Sequence, residues 1–473
     1  MYDYMIRFFK GMFASRLIAL ILLYLLIRLP LLFLGVPETL PELRWMLIGQ
    51  RMANGYAMYR DIFDTTAPFA AGIYWLIDLT AGRSWLVYRL VAALLILLQA
   101  LRLNSIFNRN NVHGEKTHLP ALLYLVLGSI FFEYDMLTPM LIGNTFIVYA
   151  LSYLITFSKE GYNNRKLFKA GFLLGMAALS YLPLAMFIVM AFFAVQFFAS
   201  NAFRSFLLLL CGILFPLSVV LTYYSYTNAL DNFWDFHLSP WHFGISYLLT
   251  LPDVLKILAL PIVVLGLSLL RLSLVTLGLN YQVKFQQLMY VWLFTGILVA
   301  LTGVTVSSGT FLVFLPAVAY FGTFLFSFKK RAWMLEIFFL LVLAVTISLR
   351  YYDILQLNQF LKLDTEPLLV KNDNPKYTQV QNADILVLST DLNYYRHNKL
   401  GSPYLDWDLA RQHFRDLDNY QTVFRLYRNF SRQHPSYIID PKNLMPTLQF
   451  KIPLVFGKYK AVEGQKGIYK RLD

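Results

Sequence analysis

Ionic side chains are grouped in one polar stretch of an otherwise apolar chain. The stretch covers residues 41–68 and reads PELRWMLIGQRMANGYAMYRDIFDTTAP. Among its ionic side chains are Glu42, Arg44, Arg60, Asp61 and Asp64. A carboxylate can take the proton of an attacking hydroxyl group, and an arginine can stabilise the negative charge of a leaving group. If the chain is an enzyme, its chemistry is therefore expected in this stretch.

The composition is that of an integral membrane protein. Of the 473 residues, 58% are hydrophobic and 14% are charged, whereas a soluble domain carries about 25% charged residues. The net charge of +14 comes mostly from short loops between apolar segments, so it indicates membrane topology and not a nucleic-acid surface. The single cysteine, Cys211, excludes an internal disulfide.

Eleven transmembrane helices are predicted from the apolar segments. A bilayer core about 30 Å thick requires roughly 20 apolar residues per helix. The predicted spans lie near residues 16–35, 84–103, 119–133, 140–157, 168–183, 184–199, 205–226, 253–271, 286–302, 309–327 and 333–350. Lysine and arginine are enriched in the loops on one side, which predicts a cytoplasmic N-terminus and, after an odd number of spans, a C-terminus outside. The expected location is the cytoplasmic membrane, with the first helix as a retained anchor.

The transmembrane domain is predicted to cover residues 1–350 and a second domain residues 351–473. The second domain is richer in charged residues and contains two short apolar segments, 383–390 and 436–440, which are typical of buried strands. Residues 405–432 between them are predicted to be helical, in two pieces. Alternation of strand, helix and strand indicates a small α/β domain outside the membrane.

Two further helices are predicted in the first outer loop, residues 36–83. Apolar residues recur with helical spacing over residues 42–54, so we expect an interfacial helix with Leu43 toward lipid and Glu42 toward water. Residues 69–81 are apolar but too few to cross a bilayer, which predicts a re-entrant or interfacial helix.

The order of these elements resembles that of the GT-C glycosyltransferases, a superfamily that includes protein O-mannosyltransferases and the aminoarabinose transferase of lipid A. The residues that match motifs of the family are, in chain order, Glu42, Trp45, Gly55, Tyr59, Asp61, Asp64, Pro68, Gly82, Ser84 and Arg89. The phrases DILVLSTDLNYY, SPYLDWDLARQHF and PSYIIDPK are similar to the outer domain of bacterial members. The resemblance implies a polytopic α-helical GT-C-like fold. It also implies transfer of a sugar from a polyprenyl-phosphate donor to a glycan, lipid or protein acceptor outside the cytoplasmic membrane.

The chain departs from the family pattern at three places. Pro41 stands where the family has its first acidic residue, and residues 65–67 lack a lysine found in some relatives. The phrase SSGTFLVFLPA, residues 307–317, lacks the His-Tyr pair of a late family motif. These departures leave open a second hypothesis, a non-catalytic scaffold or assembly factor of the cell envelope. A transporter or flippase is less favoured, because few acidic residues lie within the predicted spans.

Candidate site residues follow from the resemblance and from the residue types. The candidates for the catalytic base are Asp61, Asp64 and Glu42, and the alternative is a solvated loop with an ordinary pair between a carboxylate and Arg60. The candidates for substrate binding are Arg28, Arg60, Arg89, Tyr59, Glu133 and Asp135.

Roles can be assigned to two pairs of these candidates. Arg28 and Arg89 lie in predicted spans, so each either contacts a lipid phosphate or anchors its helix at the interface. Glu133 and Asp135 could orient an acceptor or contribute to a divalent metal site, but two carboxylates do not make a ligand set, so no metal ligand is assigned. The expected partners are membrane lipids, the lipid-linked sugar donor and the acceptor, and the polyprenyl-phosphate sugar is a substrate and not a cofactor.

Two other features have structural interpretations. His237 and His242 lie in the aromatic phrase WDFHLSPWHF, which indicates a loop at the membrane interface and not a metal site. Gly171 and Gly175, in GFLLG, have the spacing of residues through which membrane helices pack closely.

Overall fold

A computed structural model describes most of the chain in atomic detail. The described residues are 5–160, 164–199, 201–239, 248–273, 279–302, 308–327, 332–371, 374–415, 417–465 and 467–472. The chain divides into two compact units, each built from segments that are separated in sequence. The first unit comprises Met1–Val36, Leu86–Val219 and Trp241–Pro367, and the second comprises Pro37–Trp85, Val220–Pro240 and Leu368–Asp473. The sequence predicts one boundary at residue 350, whereas these units alternate along the chain.

The described part of the chain contains seven helical segments that are long and apolar enough to cross a membrane. They are Ala14–Phe33, Trp85–Asn110, Ala202–Tyr226, Leu251–Leu272, Asn280–Thr302, Ser308–Phe326 and Trp333–Arg350. The protein is therefore a polytopic helical membrane protein. Every one of the eleven predicted spans contains a helix, but the remaining helical segments are shorter, so a count of eleven spans stays a prediction.

The helices that lie wholly or mainly in the first unit follow the predicted spans. Their bounds are Met5–Phe9, Ala14–Leu34, Trp85–Asn110, Leu119–Leu127, Pro139–Glu160, Asn164–Ser180, Phe187–Phe198, Ala202–Tyr226, Leu251–Leu272, Asn280–Thr302, Leu315–Phe326, Ala332–Arg350 and Asn358–Leu361. Short 3-10 helices are present at Phe132–Asp135, Leu182–Met186 and Ser308–Phe314. The first of these carries Glu133 and Asp135.

Two long helices of the first unit approach each other at glycines. A Cβ atom added to Gly171 would lie 2.1 Å from the backbone oxygen of Leu209 and 3.0 Å from the Cα of Gly212. One added to Gly175 would lie 2.5 Å from the backbone oxygen of Ile213. No side chain fits in this space, so the helix contact predicted from GFLLG is confirmed.

The second unit combines helices of residues 36–83 with a small C-terminal sheet. We keep the name outer loop for residues 36–83, after the location predicted for them. The helices of the second unit are Leu40–Ala53, Pro68–Ala81, Leu230–Phe233, Trp407–Arg415, Tyr420–Arg432, Met445–Lys451 and Pro453–Phe456, with a π-helix at Trp234–Leu238 and 3-10 turns at Pro375–Tyr377 and Leu392–Tyr395. A further 3-10 turn, Glu366–Leu368, contains the boundary between the two units. Residues 405–432 do split into two helices, because the side chain of Asn419 accepts a hydrogen bond from the backbone of Gln421 and caps the second one.

The sheet has five short strands in a mixed arrangement. They are β1 Asp384–Val387, β2 Lys399–Leu400, β3 Tyr437–Ile439, β4 Tyr459–Ala461 and β5 Ile468–Arg471. Their order is β2-β1-β3-β5-β4. Strand β1 pairs in parallel with β2 and β3, and β5 pairs antiparallel with β3 and β4. The two strands predicted from the sequence are β1 and β3, which confirms the α/β assignment of this region.

One hydrophobic core joins the three segments of the second unit. The ring of Phe63 in the outer loop lies 4.9 Å from that of Phe236 and 5.3 Å from that of Tyr404. The backbone N–H of Phe63 also donates to the carbonyl of Pro403 at 2.7 Å.

The prediction that Leu43 faces lipid and Glu42 faces water is wrong, because both are fully buried and Leu43 belongs to this core.

Candidate functional site

Arg44 connects two carboxylates of the second unit. Its Nε atom lies 2.6 Å from Oδ2 of Asp64, and its Nη2 atom bonds to Oδ2 of Asp406. The helix Leu40–Ala53 presents Arg44, the outer loop presents Asp64, and Asp406 directly precedes the helix Trp407–Arg415. We call Arg44, Asp64 and Asp406 the loop cluster.

The carboxylates of the loop cluster also bind backbone N–H groups. Oδ1 of Asp64 accepts from the N–H of Thr66 at 2.7 Å, and Oδ1 of Asp406 accepts from the N–H groups of Asp408 and Leu409 at 2.9 and 3.4 Å. The side chain of Asp64 has no exposed surface. Asp64 therefore orders the loop, and it is not in a position to take a proton from a substrate in this conformation.

The charges of the loop cluster stabilise one another. Burial by itself would raise the pKa of Asp406, but the Arg44 guanidinium outweighs burial and holds this pKa below its ordinary value. Burial would likewise lower the pKa of Arg44, and the two carboxylates raise it above its ordinary value. Arg44 and Asp406 are therefore both ionised at neutral pH, as expected of a paired and hydrogen-bonded cluster.

Tyr59 is a packing residue with an unusual backbone conformation. Its φ angle of 64° lies in the left-handed region, which is rare for a bulky side chain. The buried hydroxyl donates to the carbonyl of Thr66 at 2.6 Å, and Asn232 donates to the Tyr59 carbonyl at 2.8 Å. Burial raises the pKa of Tyr59 well above its ordinary value. These contacts hold the turn of the loop and occupy the Tyr59 hydroxyl and carbonyl.

Asp61 is the only one of the three proposed bases whose side chain is partly exposed. The exposed fraction is 14% for Asp61 and 44% for its partner Arg60. Oδ2 of Asp61 accepts from Nε and Nη2 of Arg60 at 2.9 and 2.7 Å and from the N–H of Ala57 at 2.9 Å. The hydrogen bonds described for this carboxylate thus all use Oδ2. The predicted pair between a loop carboxylate and Arg60 is present.

Glu42 takes part in a capping arrangement at the start of the helix Leu40–Ala53. The hydroxyl of Thr39 accepts from the N–H of Glu42 at 3.4 Å and donates to Oε2 of Glu42 at 3.1 Å. The four residues TLPE match the capping-box pattern, in which a threonine precedes a helix and a glutamate follows three residues later. The fully buried Glu42 therefore has a structural role that its local sequence already indicates.

A second ionic cluster lies in the first unit. Oδ1 of Asp135 is 3.4 Å from Nε of Arg28, and Oδ2 of Asp135 is 2.8 Å from Nη2 of Arg350. The exposed fractions of these three side chains are 2% or less. We call Arg28, Asp135 and Arg350 the arginine cluster. The structure thus brings together two of the predicted binding residues, Arg28 and Asp135.

The arginine cluster has more donors and more positive charge than its own carboxylate can satisfy. Arg28 Nη2 donates to the carbonyls of Gly128 and Tyr134 at 2.9 and 2.8 Å. Arg28 Nη1 is buried and has no hydrogen-bond partner within the described residues. Two guanidinium groups and one carboxylate leave an excess of one positive charge, which is costly in a buried place unless an anion joins it.

Glu133 lies two residues before Asp135 but has different partners. Its Oε2 atom accepts from the N–H of Gly309 at 3.1 Å and from the hydroxyl of Ser308. Its Oε1 atom is buried and has no partner in the described part of the chain. Glu133 and Asp135 therefore do not act as one pair of ligands.

Arg89 forms a backbone contact. Its Nη1 atom donates to the carbonyl of Val36 at 3.0 Å, and the side chain is almost fully buried. This contact joins the helix Trp85–Asn110 to Val36, which follows the end of the helix Ala14–Leu34. The structure does not bring Arg89 into the arginine cluster.

No metal site is apparent in the residues that the structure describes, since no group of three or more His, Cys, Asp and Glu side chains is placed to hold an ion. His237 is buried, its Nδ1 atom lies 3.3 Å from the carbonyl of Thr65, and burial lowers its pKa to about 4. It is therefore neutral at pH 7 and packs against the outer loop. His242 lies outside the described residues.

Two residues of these clusters were not predicted. Arg350 ends the last predicted span, and an arginine at the end of an apolar helix is usually attributed to anchoring. Asp406 directly precedes a helix, where an aspartate is expected to cap the backbone. Arg350 and Asp406 each have a common local explanation. Their pairing with distant residues could therefore not be predicted from the sequence alone.

We compared the chain with known protein families, curated proteins and solved structures. The chain matches no protein-family model, and no curated protein or solved structure matches it.

Proposed function

We propose that this protein is a membrane glycosyltransferase of the GT-C type, which moves a sugar from a polyprenyl-phosphate donor to an acceptor outside the cytoplasmic membrane. In this proposal the C-terminal region also lies outside. The observation that carries the proposal is the buried excess of positive charge at Arg28 and Arg350, together with the Nη1 atom of Arg28, which has no hydrogen-bond partner among the described residues. A guanidinium group matches the geometry of phosphate oxygens better than any other side chain does.

The arginine cluster would bind the phosphate of the donor and of the leaving carrier. An acceptor hydroxyl oxygen attacks the anomeric carbon of the sugar, the bond from that carbon to the phosphate oxygen breaks, and polyprenyl phosphate leaves with the bonding electron pair. Arginines stabilise the charge that develops on the phosphate during this step. The hydroxyl proton passes to a carboxylate.

Asp61 is the base in this proposal. Asp64 and Glu42 are fully buried and bonded to the backbone or to Thr39, whereas Asp61 is partly exposed and bonds through one oxygen. The donor-binding arginines and the base belong to different compact units, so each part is tested separately.

A complementation experiment tests donor binding. A strain that lacks the protein receives the wild type, Arg28→Gln or Arg102→Gln, and its envelope saccharides are profiled by mass spectrometry. Arg102 bonds to Ser152 within the same unit, so it controls for loss of one positive charge. We expect Arg28→Gln to reduce the transferred sugar about a hundredfold, at unchanged membrane level, and Arg102→Gln to restore it. Full restoration by Arg28→Gln would disprove the role of the cluster.

The same assay tests the base with Asp61→Asn and Asp408→Asn. Asp408 is a largely exposed carboxylate paired with Arg411, so its substitution removes a similar group without touching the loop. We expect Asp61→Asn to lower transfer by about two to four orders of magnitude and Asp408→Asn to have no effect. If Asp61→Asn keeps full activity, another group is the base.

A non-catalytic scaffold is the second candidate function. It is favoured by the structural use of Glu42 and Asp64, which the family resemblance would place in catalysis. It predicts that no saccharide changes when the protein is deleted, and that no carboxylate variant has a phenotype while the outer domain remains folded.

A further inference from the structure

The C-terminal part of the second unit exposes aromatic side chains that the roles proposed above do not use. Tyr420, Phe424 and Tyr427 lie on the helix Tyr420–Arg432 at spacings of four and three residues, so they form one stripe along it. Tyr420 is 79% exposed and Phe424 is 52% exposed. Their rings stack on each other, with centroids 6.4 Å apart.

This stripe is not the side by which the helix packs into its unit. Leu426 and Phe430 of the same helix are fully buried, and the ring of Phe430 lies 4.9 Å from that of Phe456. The helix therefore has one apolar side in the core and a second one that faces outward. Contiguous exposed apolar surface is typical of a place where a protein or a membrane binds.

Phe450 and Leu454 extend the stripe onto two neighbouring short helices. They are 81% and 73% exposed. Leu454 lines the same depression in the surface as Tyr427. Lys451, which follows Phe450, forms an ion pair of 2.6 Å with Asp418, just before the longer helix begins. We call Tyr420, Phe424, Tyr427, Phe450 and Leu454 the apolar face.

A row of arginines runs beside the apolar face. Arg425, Arg428 and Arg432 are spaced by three and four residues on the same helix, and all three are exposed. Nη1 of Arg425 lies 3.0 Å from Nε2 of His413. In the part of the chain that the structure describes, none of these arginines forms an ion pair with a carboxylate. Their charges therefore face outward without a compensating carboxylate.

The surrounding sequence is also basic. Residues 420–460 contain seven lysines and arginines and one acidic residue, Asp440. Asp440 is buried and accepts hydrogen bonds from the backbone N–H groups of Lys442 and Met445 at 3.2 and 2.7 Å. This segment thus presents cations and no exposed carboxylate, so it attracts an anionic surface.

The combination of side chains matches a bilayer of anionic lipid. Aromatic residues are enriched at the level of the lipid headgroups, and arginine binds phosphate oxygens with its planar guanidinium group. Basic residues beside an apolar stripe are the pattern of helices that lie on a membrane surface. The chain has seven helical segments able to cross a membrane, so a bilayer is present wherever this protein is, whereas a protein partner would have to be recruited.

We propose that the apolar face rests on the membrane surface and binds anionic lipid headgroups. Tyr420, Phe424 and Phe450 enter the interfacial layer, and the three arginines bind headgroup phosphates. This contact does not depend on the transferase proposal. It uses no residue of the loop cluster or the arginine cluster, and its test measures no sugar transfer.

The contact is measured with the full-length protein in nanodiscs, by electron paramagnetic resonance of a spin label. Cys211→Ser removes the single cysteine, and Phe424→Cys or Lys399→Cys then carries the label. Lys399 is an exposed residue of β2, which lies at the opposite edge of the sheet from β4. The discs contain phosphatidylcholine, either alone or mixed with phosphatidylglycerol.

We expect phosphatidylglycerol to protect the label of Phe424→Cys from a water-soluble nickel complex and to increase its collisions with oxygen, which dissolves in the bilayer. The label of Lys399→Cys should stay accessible to the nickel complex in both kinds of disc. If phosphatidylglycerol leaves the Phe424→Cys label as accessible as before, the face does not lie on anionic lipid and the proposal is disproved.

Charge variants test the arginines in the background that carries the Phe424→Cys label. Arg428→Gln should lower the ratio of protected to accessible label about fivefold at a fixed content of phosphatidylglycerol, and Arg428→Lys should keep most of this ratio. Arg411→Gln removes the same charge from an exposed position on another helix of this unit and should leave the ratio unchanged. An equal loss with Arg411→Gln would mean general electrostatic attraction and would overturn the proposal.

Two further outcomes would also overturn it. Full protection in discs of phosphatidylcholine alone would show an apolar contact that does not use the arginines. Protection that appears together with dipolar broadening from a second labelled copy would show a dimer contact instead. An unchanged midpoint of thermal unfolding confirms for each variant that a lost contact is not lost folding.

Discussion

Arg44 determines the charge balance of the outer loop, because it is the one cation between two carboxylates in the described loop cluster. Asp64 and Asp406 come from positions more than three hundred residues apart in the chain. Removing either carboxylate leaves Arg44 with one carboxylate partner, and removing Arg44 leaves two carboxylates without their shared cation. Substitutions here therefore test folding as well as chemistry, and a loss of activity in an Asp64 variant would not by itself identify a base.

Asp64→Asn should lower stability more than a comparable change at the surface. It removes a charged hydrogen bond to Arg44 from a buried position, which costs about 2 kcal/mol. The measurement is unfolding of the purified protein in detergent. Asp408→Asn, in a pair whose side chains are about half exposed or more, should change stability by less than about 0.5 kcal/mol. Equal stability of the two variants would show that the loop cluster contributes little to folding.

The loop cluster also makes stability depend on pH. The pKa of Asp406 is lower in the folded protein than its ordinary value, because Arg44 outweighs the effect of burial. Its stabilising contribution is present above the unfolded pKa of about 4. The contribution is lost as the pH falls through the folded pKa.

This dependence can be measured as the unfolding midpoint between neutral and acidic pH. We expect the wild type to lose more stability over this range than Asp406→Asn does, since the variant has no carboxyl group to protonate at that site. Parallel pH profiles of the two proteins would contradict the assigned pairing.

The helices Asn164–Ser180 and Ala202–Tyr226 pack closely at Gly171 and Gly175. The four-residue spacing of these two glycines in the sequence predicted a close helix contact. The sequence also predicted β1, β3 and the division of residues 405–432 into two helices, because these have either a run of apolar residues or a capping side chain. It missed β2, β4 and β5, which have two to four residues each and too few positions for an alternating pattern to appear. Short strands are formed by pairing with neighbours, which local sequence does not reveal.

The candidate site was less predictable than these elements. Ion pairs such as Asp135 with Arg350 join positions far apart in the chain, and no local pattern specifies them. Burial reversed the expectation for Glu42, because the helix Leu40–Ala53 packs into a protein core and not against lipid. An amphipathic pattern shows that a helix has an apolar face, but it does not show what covers that face.

Gly171→Ala should destabilise the first unit. The added Cβ would lie 2.1 Å from the backbone oxygen of Leu209, and a backbone atom cannot yield without separating the helices. Gly266→Ala is the matched control, since a Cβ there meets no atom within 4 Å and alanine favours a helix over glycine by about 1 kcal/mol. Thermal unfolding in detergent should show a lower midpoint for Gly171→Ala and an equal or higher one for Gly266→Ala. The opposite order would disprove the close packing.

The second unit has no contiguous stretch of chain that contains its whole core. Its buried cluster includes Phe63 from the outer loop, Phe236 from the middle segment and Tyr404 from the C-terminal segment. A core shared by three segments loses apolar contacts from every side when one segment is removed. The segments of the second unit are therefore not expected to fold independently of one another.

The C-terminal segment should consequently not fold normally by itself. We expect residues 368–473, expressed alone, to show secondary structure by far-ultraviolet circular dichroism but poor dispersion in NMR spectra and rapid amide exchange. Joining residues 37–85 to it through a flexible linker should improve both. A stable, well-dispersed spectrum of the isolated segment would show that its own core is sufficient.

Because the second unit is built from three separate segments, its core can be completed only after the last of them has been synthesised. The outer loop emerges early from the ribosome, yet Phe63, Asp64 and Arg44 receive Tyr404 and Asp406 only when the last quarter of the chain has been made. During that interval the aromatic surface of the loop, including Phe63, is uncovered, and exposed apolar surface is a condition under which nascent chains aggregate or recruit chaperones. Slowing translation of the membrane helices should therefore lower the yield of native protein, although none of those helices is altered.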